Sequence, residues 1–310
     1  MICLMGPTAS GKTELAGRLQ ERFPLGLVSV DAAQVYRGLD IGTGKPTRDL
    51  LARAPHWLLD VCGPEEAYSA ARFCADAEQA IETILEQRKI PMLVGGSMFY
   101  FRAFEFGLSA LPAADAGVRQ RLLAEAELNG WGGLHARLGA HDPEAARRIQ
   151  PHDRQRLQRA LELWELTGET PSALRQRPAT VRPYRWLHVA IAPTERAVLH
   201  ARIAARFGDM LKAGLIPETQ GLWEATEHYP EVPARRIVGY RQVGEYLSGA
   251  IHYNEMVVRA LAATRQLAKR QWTWLRAYPD LHWFDSEDKQ LTEKVADFIR
   301  QNLRAERTMR

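Results

Sequence analysis

The chain opens with a short unbroken apolar run, Ile2-Cys3-Leu4-Met5, closed by Gly6-Pro7. A run of that length bounded by turn residues predicts a strand buried on both faces. From Glu14 onward the spacing changes. Leu15 and Leu19 fall one helical turn apart, which predicts a helix. The alternation then repeats. Gly26-Leu27-Val28-Ser29-Val30-Asp31 predicts a second strand ending in a carboxylate, and His56-Trp57-Leu58-Leu59-Asp60-Val61 a third. Phe73, Ala77, Ala80, Ile81, Ile84 and Leu85 share one face of a helix expected between Ser69 and Gln87. Ile90-Pro91-Met92-Leu93-Val94 reads as a strand running into Gly95-Gly96-Ser97, with a helix to follow. Strands alternating with helices give a parallel sheet with crossover helices.

After Leu108 the pattern changes. Leu111-Pro112-Ala113-Ala114-Asp115 breaks it, and only helical spacing follows to about Arg182. Trp186-Leu187-His188-Val189-Ala190-Ile191-Ala192 then returns as a strand. Thr194 is expected to cap a long helix through Leu211, and further helices reach Arg276. His282-Trp283-Phe284 reads as a last short strand, and a closing amphipathic helix carries Val295, Phe298 and Ile299. The expected fold class is therefore α/β: a parallel sheet flanked by helices from residues 1–110 and 183–310, with an all-helical insertion at 111–182.

The turn after the first strand carries the clearest chemistry. Gly6-Pro7-Thr8-Ala9-Ser10-Gly11-Lys12-Thr13 fits G-x-x-x-x-G-K-S/T, a phosphate-binding loop, and makes the sheet P-loop NTPase-like. A chance match in a turn would not bring a strand before it and a helix after it. Backbone N–H groups of such a loop wrap an anion, and the helix N-terminus adds partial positive charge. Lys12 would reach the outer phosphate, and the Thr13 hydroxyl would hold Mg²⁺. The loop specifies a polyphosphate, not a nucleoside triphosphate. Ligands of open parallel sheets gather at the carboxyl ends of the strands, where Gly6–Thr13, Asp31 and Ser97 all fall.

Composition narrows the class. With 310 residues, 46% hydrophobic and 25% charged, the chain is an ordinary globular protein of one large or two modest domains. The net charge is only +4, but 41 Lys+Arg allow a basic face for nucleic acid. An acidic phosphate substrate explains the same bias. Cys3, Cys62 and Cys74 form no CxxC pair, which argues for a reducing compartment and against structural zinc. No stretch is long enough to span a bilayer and no signal peptide is visible; a cytoplasmic protein away from membranes is expected.

Asp31, at a strand end beside the phosphate loop, can bind Mg²⁺ through water or accept a proton from a nucleophile. It can also simply cap a helical turn begun by Ala32-Ala33-Gln34. The strand Pro91–Val94 ends in Gly-Gly-Ser and lacks the acid found at that position in ATPase motors, which shifts the acid role to Asp31. The insertion concentrates Arg147, Arg148, Arg154, Arg156 and Arg159, with only Glu144 and Asp153 nearby to offset them. This is either a solvated helix face or, with Gln150, His152, Gln155 and Gln158 interleaved, a surface for phosphates and base edges. Arg265 to Arg276 mixes cations with Trp272 and Trp274, suited to stacking bases, although at least one tryptophan is expected in the core. Arg202 and Arg206 lie one turn apart, and either could face the phosphate site. Two classes survive: a nucleotide or nucleoside kinase with the insertion as a lid, and a transferase that binds a polyphosphate and a nucleic acid together. A non-catalytic phosphate-binding module fits poorly with Asp31 beside the loop.

Several longer stretches carry a resemblance. They are Gly6–Thr13, Val30-Asp31-Ala32-Ala33-Gln34-Val35-Tyr36-Arg37-Gly38, Asp40-Ile41-Gly42-Thr43-Gly44-Lys45-Pro46, Leu93–Ser97, Arg236-Ile237-Val238-Gly239-Tyr240-Arg241-Gln242 and Thr264–Gln271. Along its whole length the chain resembles the bacterial tRNA dimethylallyltransferases. The resemblance implies transfer of a dimethylallyl group from its diphosphate to N6 of the adenine 3′ of the anticodon in tRNA. The loop Gly6, Pro7, Thr8, Ala9, Ser10, Gly11, Lys12 and Thr13 would then hold the leaving diphosphate with Mg²⁺. Asp31 would take the N6 proton, and Arg206 rather than Arg202 would contact the diphosphate. Ser97 stands where the family more often has threonine; the hydroxyl is kept and the methyl is lost. The tRNA-contacting positions would be Asp31, Ala32, Ala33, Gln34, Ser97, Arg119, Gln155, Arg156, Leu157, Gln158, Arg159, Arg236, Ile237, Val238, Gly239, Tyr240 and Arg241. The base would be flipped out of the anticodon loop, and the enzyme is expected to act as a monomer.

Overall fold

A computed structural model of the protein describes residues 1–109, 111–177 and 181–308. The chain runs β1 (Ile2–Met5), α1 (Lys12–Gln20), β2 (Leu25–Val30), α2 (Arg48–Arg53), β3 (His56–Trp57), α3 (Ala70–Glu86), β4 (Ile90–Gly95) and α4 (Met98–Phe106). It continues through α5 (Ala116–His141), α6 (Pro143–Arg148), α7 (Arg154–Thr167) and α8 (Pro171–Gln176). It ends with β5 (Leu187–Ala192), α9 (Arg196–Ala213), α10 (Leu215–Ala225), α11 (Tyr240–Leu247), α12 (Tyr253–Arg276), β6 (His282–Asp285) and α13 (Leu291–Thr308). Two compact units result: Met1–Ala103 with Pro183–Arg310, and Phe104–Arg182. The division falls inside α4; Ala110, where the sequence places it, lies outside the described residues.

In the first unit six strands pair in the order β3-β2-β4-β1-β5-β6. Every pairing is parallel. Ile2 of β1 lies beside Met92 of β4 and Leu187 of β5, so the phosphate loop leaves from the middle of the sheet. Leu15 and Leu19 of α1 and Val295 and Ile299 of α13 pack with Ile2, Leu4, Leu27, Met92 and Ile191 in one core. Burial on both faces explains why these strands read as apolar runs rather than alternating ones.

Two sequence expectations need correction here. The third strand holds only His56 and Trp57, because Leu58 (φ 66°) and Asp60 (φ 56°) take left-handed backbone that cannot continue a ladder. Thr194 does not cap α9. That helix starts at Arg196 after Glu195, and the Thr194 hydroxyl bonds to Asp285 Oδ2 at 3.0 Å instead.

Among the described residues, the regular elements of the second unit are all helices. Four helices start on side-chain caps: Asp115 for α5, Asp142 for α6, Asp153 for α7 and Thr170 for α8. Val118, Leu122, Leu134, Leu157 and Leu161 form its core. Among the described residues, no helix is long and apolar enough to cross a membrane.

Candidate active site

The phosphate loop is built by its backbone. Gly11 (φ 90°) precedes α1 in the left-handed region and offers no side-chain cap, so the N–H groups of the first turn stay open to an anion. Ala9 also has positive φ, at 61°. Lys12 Nζ bonds to the Pro7 carbonyl at 2.6 Å and to Ser10 Oγ at 3.4 Å, folding the side chain over the loop. Thr8 N–H donates to Gln271 Oε1 at 2.8 Å, and Gln271 Nε2 donates to the Gly96 carbonyl at 3.0 Å. Helix α12 thus ties the phosphate loop to the turn that carries Ser97.

Asp31 does not begin a helix. Its Oδ1 accepts from Ala33 N at 2.8 Å and Gln34 N at 3.3 Å, fixing a tight turn after β2. Oδ2 has no hydrogen-bond partner among the described residues. Ser97 Oγ accepts from Ala32 N at 3.0 Å, so the serine keeps a contact with this turn. Gln34 spends its amide inside the protein: it accepts from Ser29 Oγ and donates to the Gly44 carbonyl at 3.1 Å each.

Of the two candidate arginines, Arg206 faces the site. It lines the cavity with Asp31, Thr8 and Ala9, and donates to the Gly44 carbonyl at 3.3 Å. Arg202 turns away to Ser286 Oγ at 2.8 Å and to Glu287. Gly44 (φ 61°) leaves the room Arg206 needs: a Cβ there would lie 1.6 Å from Arg206 Nη2.

These charges perturb one another. Burial first, then the Arg206 charge, pull Lys12 down from 10.5 to about 7, and Asp31 opposes them. Burial pushes Asp31 above the usual carboxylate range against the Ala33 and Gln34 N–H groups, Lys12 and Arg206. Burial also works against the Arg206 charge, which Asp31 supports. The cavity that Asp31 and Arg206 share measures about 530 Å³ and is otherwise largely apolar, with Met98, Phe207, Met210, Leu215, Leu267 and Trp274 in its wall. A cluster of anion-binding groups beside apolar wall suits a molecule with a charged head and a hydrocarbon tail.

The Thr13 hydroxyl, like Asp31 Oδ2, makes no hydrogen bond among the described residues. A hydroxyl and a carboxylate oxygen fit Mg²⁺, which takes one or two protein oxygens and completes its shell from phosphate and water.

The expected RNA-contacting positions fall into three kinds. Arg156 is exposed and, among the described residues, paired only with Asp153 at 3.3 Å, and Gln155 beside it is exposed too. Arg119 and Arg159 are committed. Both bond to Glu162, at 2.9 Å and 2.7 Å, and Arg159 also reaches the Pro112 carbonyl. Glu162 is 0% exposed and accepts from Asp115 N as well. The expectation that only Glu144 and Asp153 offset this cluster is therefore corrected, since a third acid lies one turn beyond Arg159. Gln158 donates to the Arg119 carbonyl. The third kind is buried: Leu157 and Tyr240 show no exposed surface, so their side chains hold the fold and only backbone could meet RNA there.

In the first unit, Arg236, Ile237, Val238 and Gly239 line the cavity, and Arg236 and Arg241 are exposed beside Glu231 and Glu245. Neither Trp272 nor Trp274 is a core residue as expected. Trp272 is half-buried against Leu199, Ile203 and Ala268, while Trp274 is 39% exposed in the cavity wall. Glu162, Glu218, Gly44 and Gln271 emerge only from the structure. The last two stand in stretches that carry the resemblance, but the two glutamates are isolated acids on helices, which sequence spacing does not mark.

Comparison with known families matches residues 34–278 to the IPP transferase family. The tRNA dimethylallyltransferase of Thioalkalivibrio sulfidiphilus is 51% identical over 307 residues, covering 99% of this chain and 96% of that protein. The one from Coxiella burnetii is 48% identical over 301 residues, covering 97% of each. Among solved structures, the full-length tRNA isopentenylpyrophosphate transferase of Bacillus halodurans superposes with a TM-score of 0.73 at 32% identity, over 99% of this chain and 98% of that one. A eukaryotic dimethylallyltransferase captured acting on tRNA superposes with a TM-score of 0.79 at 25% identity, over 97% of this chain and 79% of that one.

Proposed function

The chain belongs to the IPP transferase family, and from that membership we propose that it transfers a dimethylallyl group from dimethylallyl diphosphate to tRNA. The acceptor is N6 of the adenine 3′-adjacent to the anticodon, and diphosphate is released. One observation carries the reading at the level of residues: Asp31 and Arg206 line an otherwise largely apolar cavity that the phosphate loop reaches through Thr8 and Ala9, with Lys12 electrostatically coupled to both. The charged groups suit a diphosphate and a proton acceptor, and the apolar wall suits a five-carbon tail.

In this reading the phosphate loop, Lys12 and Arg206 hold the diphosphate and oppose the charge that grows as the allylic C–O bond breaks. The electron pair of that bond leaves with the diphosphate. The N6 lone pair forms the new bond to the allylic carbon, and the N6 proton passes to Asp31. Burial raises Asp31, which makes its carboxylate a better proton acceptor, while the Ala33 and Gln34 N–H groups aim it. Mg²⁺, held by Thr13 and through water by Asp31, would neutralise part of the leaving charge. The adenine enters flipped out of the anticodon loop. In this reading the enzyme works in the cytoplasm as a monomer.

The test is to incubate the protein with Mg²⁺ and an anticodon stem-loop, adding either dimethylallyl diphosphate or ATP, and to weigh the RNA. The reading expects one dimethylallyl group added with the first donor and no change with ATP. Phosphorylation of a nucleoside by ATP would restore the kinase alternative.

A further inference from the structure

Glu218 stands in the first turn of α10, away from the residues assigned to chemistry. Its Oε2 accepts from the backbone N–H groups of Asp40 and Ile41 at 2.8 Å each. Its Oε1 accepts from Gly42 N at 2.9 Å and from the Tyr240 hydroxyl at 2.5 Å. One carboxylate therefore gathers three consecutive backbone donors of a loop and joins them to the start of α11.

The other end of that loop is where Arg206 is held. Gly44 N donates to the Ile41 carbonyl at 2.9 Å, closing a turn. The Gly44 carbonyl then accepts from Arg206 at 3.3 Å and Gln34 at 3.1 Å. Lys45, its side chain 4% exposed, pins the same segment to Asp40 at 2.7 Å and Asp60 at 2.5 Å. Gly42 has no space for a side chain, since a Cβ would meet the Tyr240 ring at 2.5 Å. The position of Gly44, and with it the seat of the Arg206 guanidinium, thus depends on the anchor at Asp40–Gly42.

We propose that Glu218 is a positioning residue for the donor diphosphate, acting through the 40–44 loop on Arg206. The proposal rests on the diphosphate site described above. Glu218 touches neither substrate; it supplies the acceptors that fix the loop, and the loop presents one carbonyl that orients the arginine. Glu218→Gln breaks this arrangement with little change in shape. An amide has a single oxygen, so either orientation turns its NH₂ group toward donors that had an acceptor.

The experiment is calorimetric titration with inorganic diphosphate and Mg²⁺ of wild type, Glu218→Gln, Arg206→Ala and the double variant, with thermal melting of each. Glu218→Gln is expected to weaken diphosphate binding at least about tenfold. In the Arg206→Ala background it should add no further loss, because it acts through that residue. A purely structural anchor would instead cost the same with or without Arg206. If Glu218→Gln does not fold, Gly44→Ala tests the same link from the loop side, and diphosphate binding equal to wild type would overturn the proposal. Diphosphate binding unaffected by Glu218→Gln, while Arg206→Ala weakens it, overturns this inference alone. Wild type that binds no diphosphate, or Arg206→Ala that binds it normally, overturns the diphosphate site and this inference together.

Discussion

Arginine and carboxylate meet in both units of this protein, with opposite results. In the sheet unit, Arg206, Lys12 and Asp31 are electrostatically coupled, and burial is the largest influence moving each away from its ordinary pKa. In the helical unit, burial would raise Glu162, but hydrogen bonds from Arg119, Arg159 and Asp115 N outweigh it and hold the carboxylate below its usual range. The second cluster is satisfied and closed: each buried oxygen has donors, and two arginines are used up. The first has acceptor and cation capacity left over, in Asp31 Oδ2 and the first turn of α1. Charges that complete one another are architecture, and charges that do not are a place for a ligand. By that criterion Arg154 and Arg156, both exposed, keep more of their charge for a ligand than Arg159, which is tied to buried Glu162.

The comparison breaks most visibly at Asp31. Asp31→Asn keeps the turn, because one oxygen still accepts from Ala33 and Gln34, but removes the base. Single-turnover transfer is expected to fall by about 10²–10⁴-fold with tRNA affinity unchanged. Transfer at the wild-type rate would remove Asp31 from the chemistry.

The next effect is in pH. With a value of about 7 against an ordinary 10.5, Lys12 in the empty enzyme is charged below pH 7 and loses its proton above it. An anion binds the charged form, so diphosphate affinity should fall as pH rises through about 7, by up to tenfold per unit, with uptake of a proton. Lys12→Arg stays charged and should flatten the profile. The difference between the two proteins separates this effect from the ligand's own protons, and identical profiles would assign the titration elsewhere.

In the helical unit the effects move from function to stability. Arg159→Ala takes one charged partner from buried Glu162 and should cost about 1.5–3 kcal/mol, read as a lowered melting temperature. Arg156→Ala, by contrast, should leave melting unchanged. It should weaken stem-loop binding and flatten the slope of log affinity against log salt by about one unit. A flattened slope from Arg159→Ala of the same size would mean that RNA can pull that arginine from Glu162.

Much of the sheet was legible because burial on both faces leaves its mark in the inner strands: the apolar runs at Ile2–Met5 and Met92–Val94 are unbroken. The phosphate loop was legible because its glycines, lysine and threonine sit in one continuous stretch. The edge strand at His56–Trp57 was overextended because apolar composition does not reveal the left-handed turns at Leu58 and Asp60. Choosing Arg206 over Arg202 required the family resemblance, since one turn of helix separates them and only packing decides which faces the cavity. The roles of Glu162 and Glu218 were illegible for a related reason. Each is defined by partners far along the chain, Arg119 and Asp115 for one and Asp40–Gly42 for the other, and no local spacing announces such a meeting.

The division between the two units is tested most directly by one crossed titration, in which Lys12→Ala and Arg156→Ala are each titrated with Mg²⁺-diphosphate and with the anticodon stem-loop. The account predicts that Lys12→Ala loses diphosphate binding and keeps the stem-loop, and that Arg156→Ala does the reverse. Stem-loop binding lost together with diphosphate in Lys12→Ala, or diphosphate binding lost in Arg156→Ala with the stem-loop untouched, would contradict it.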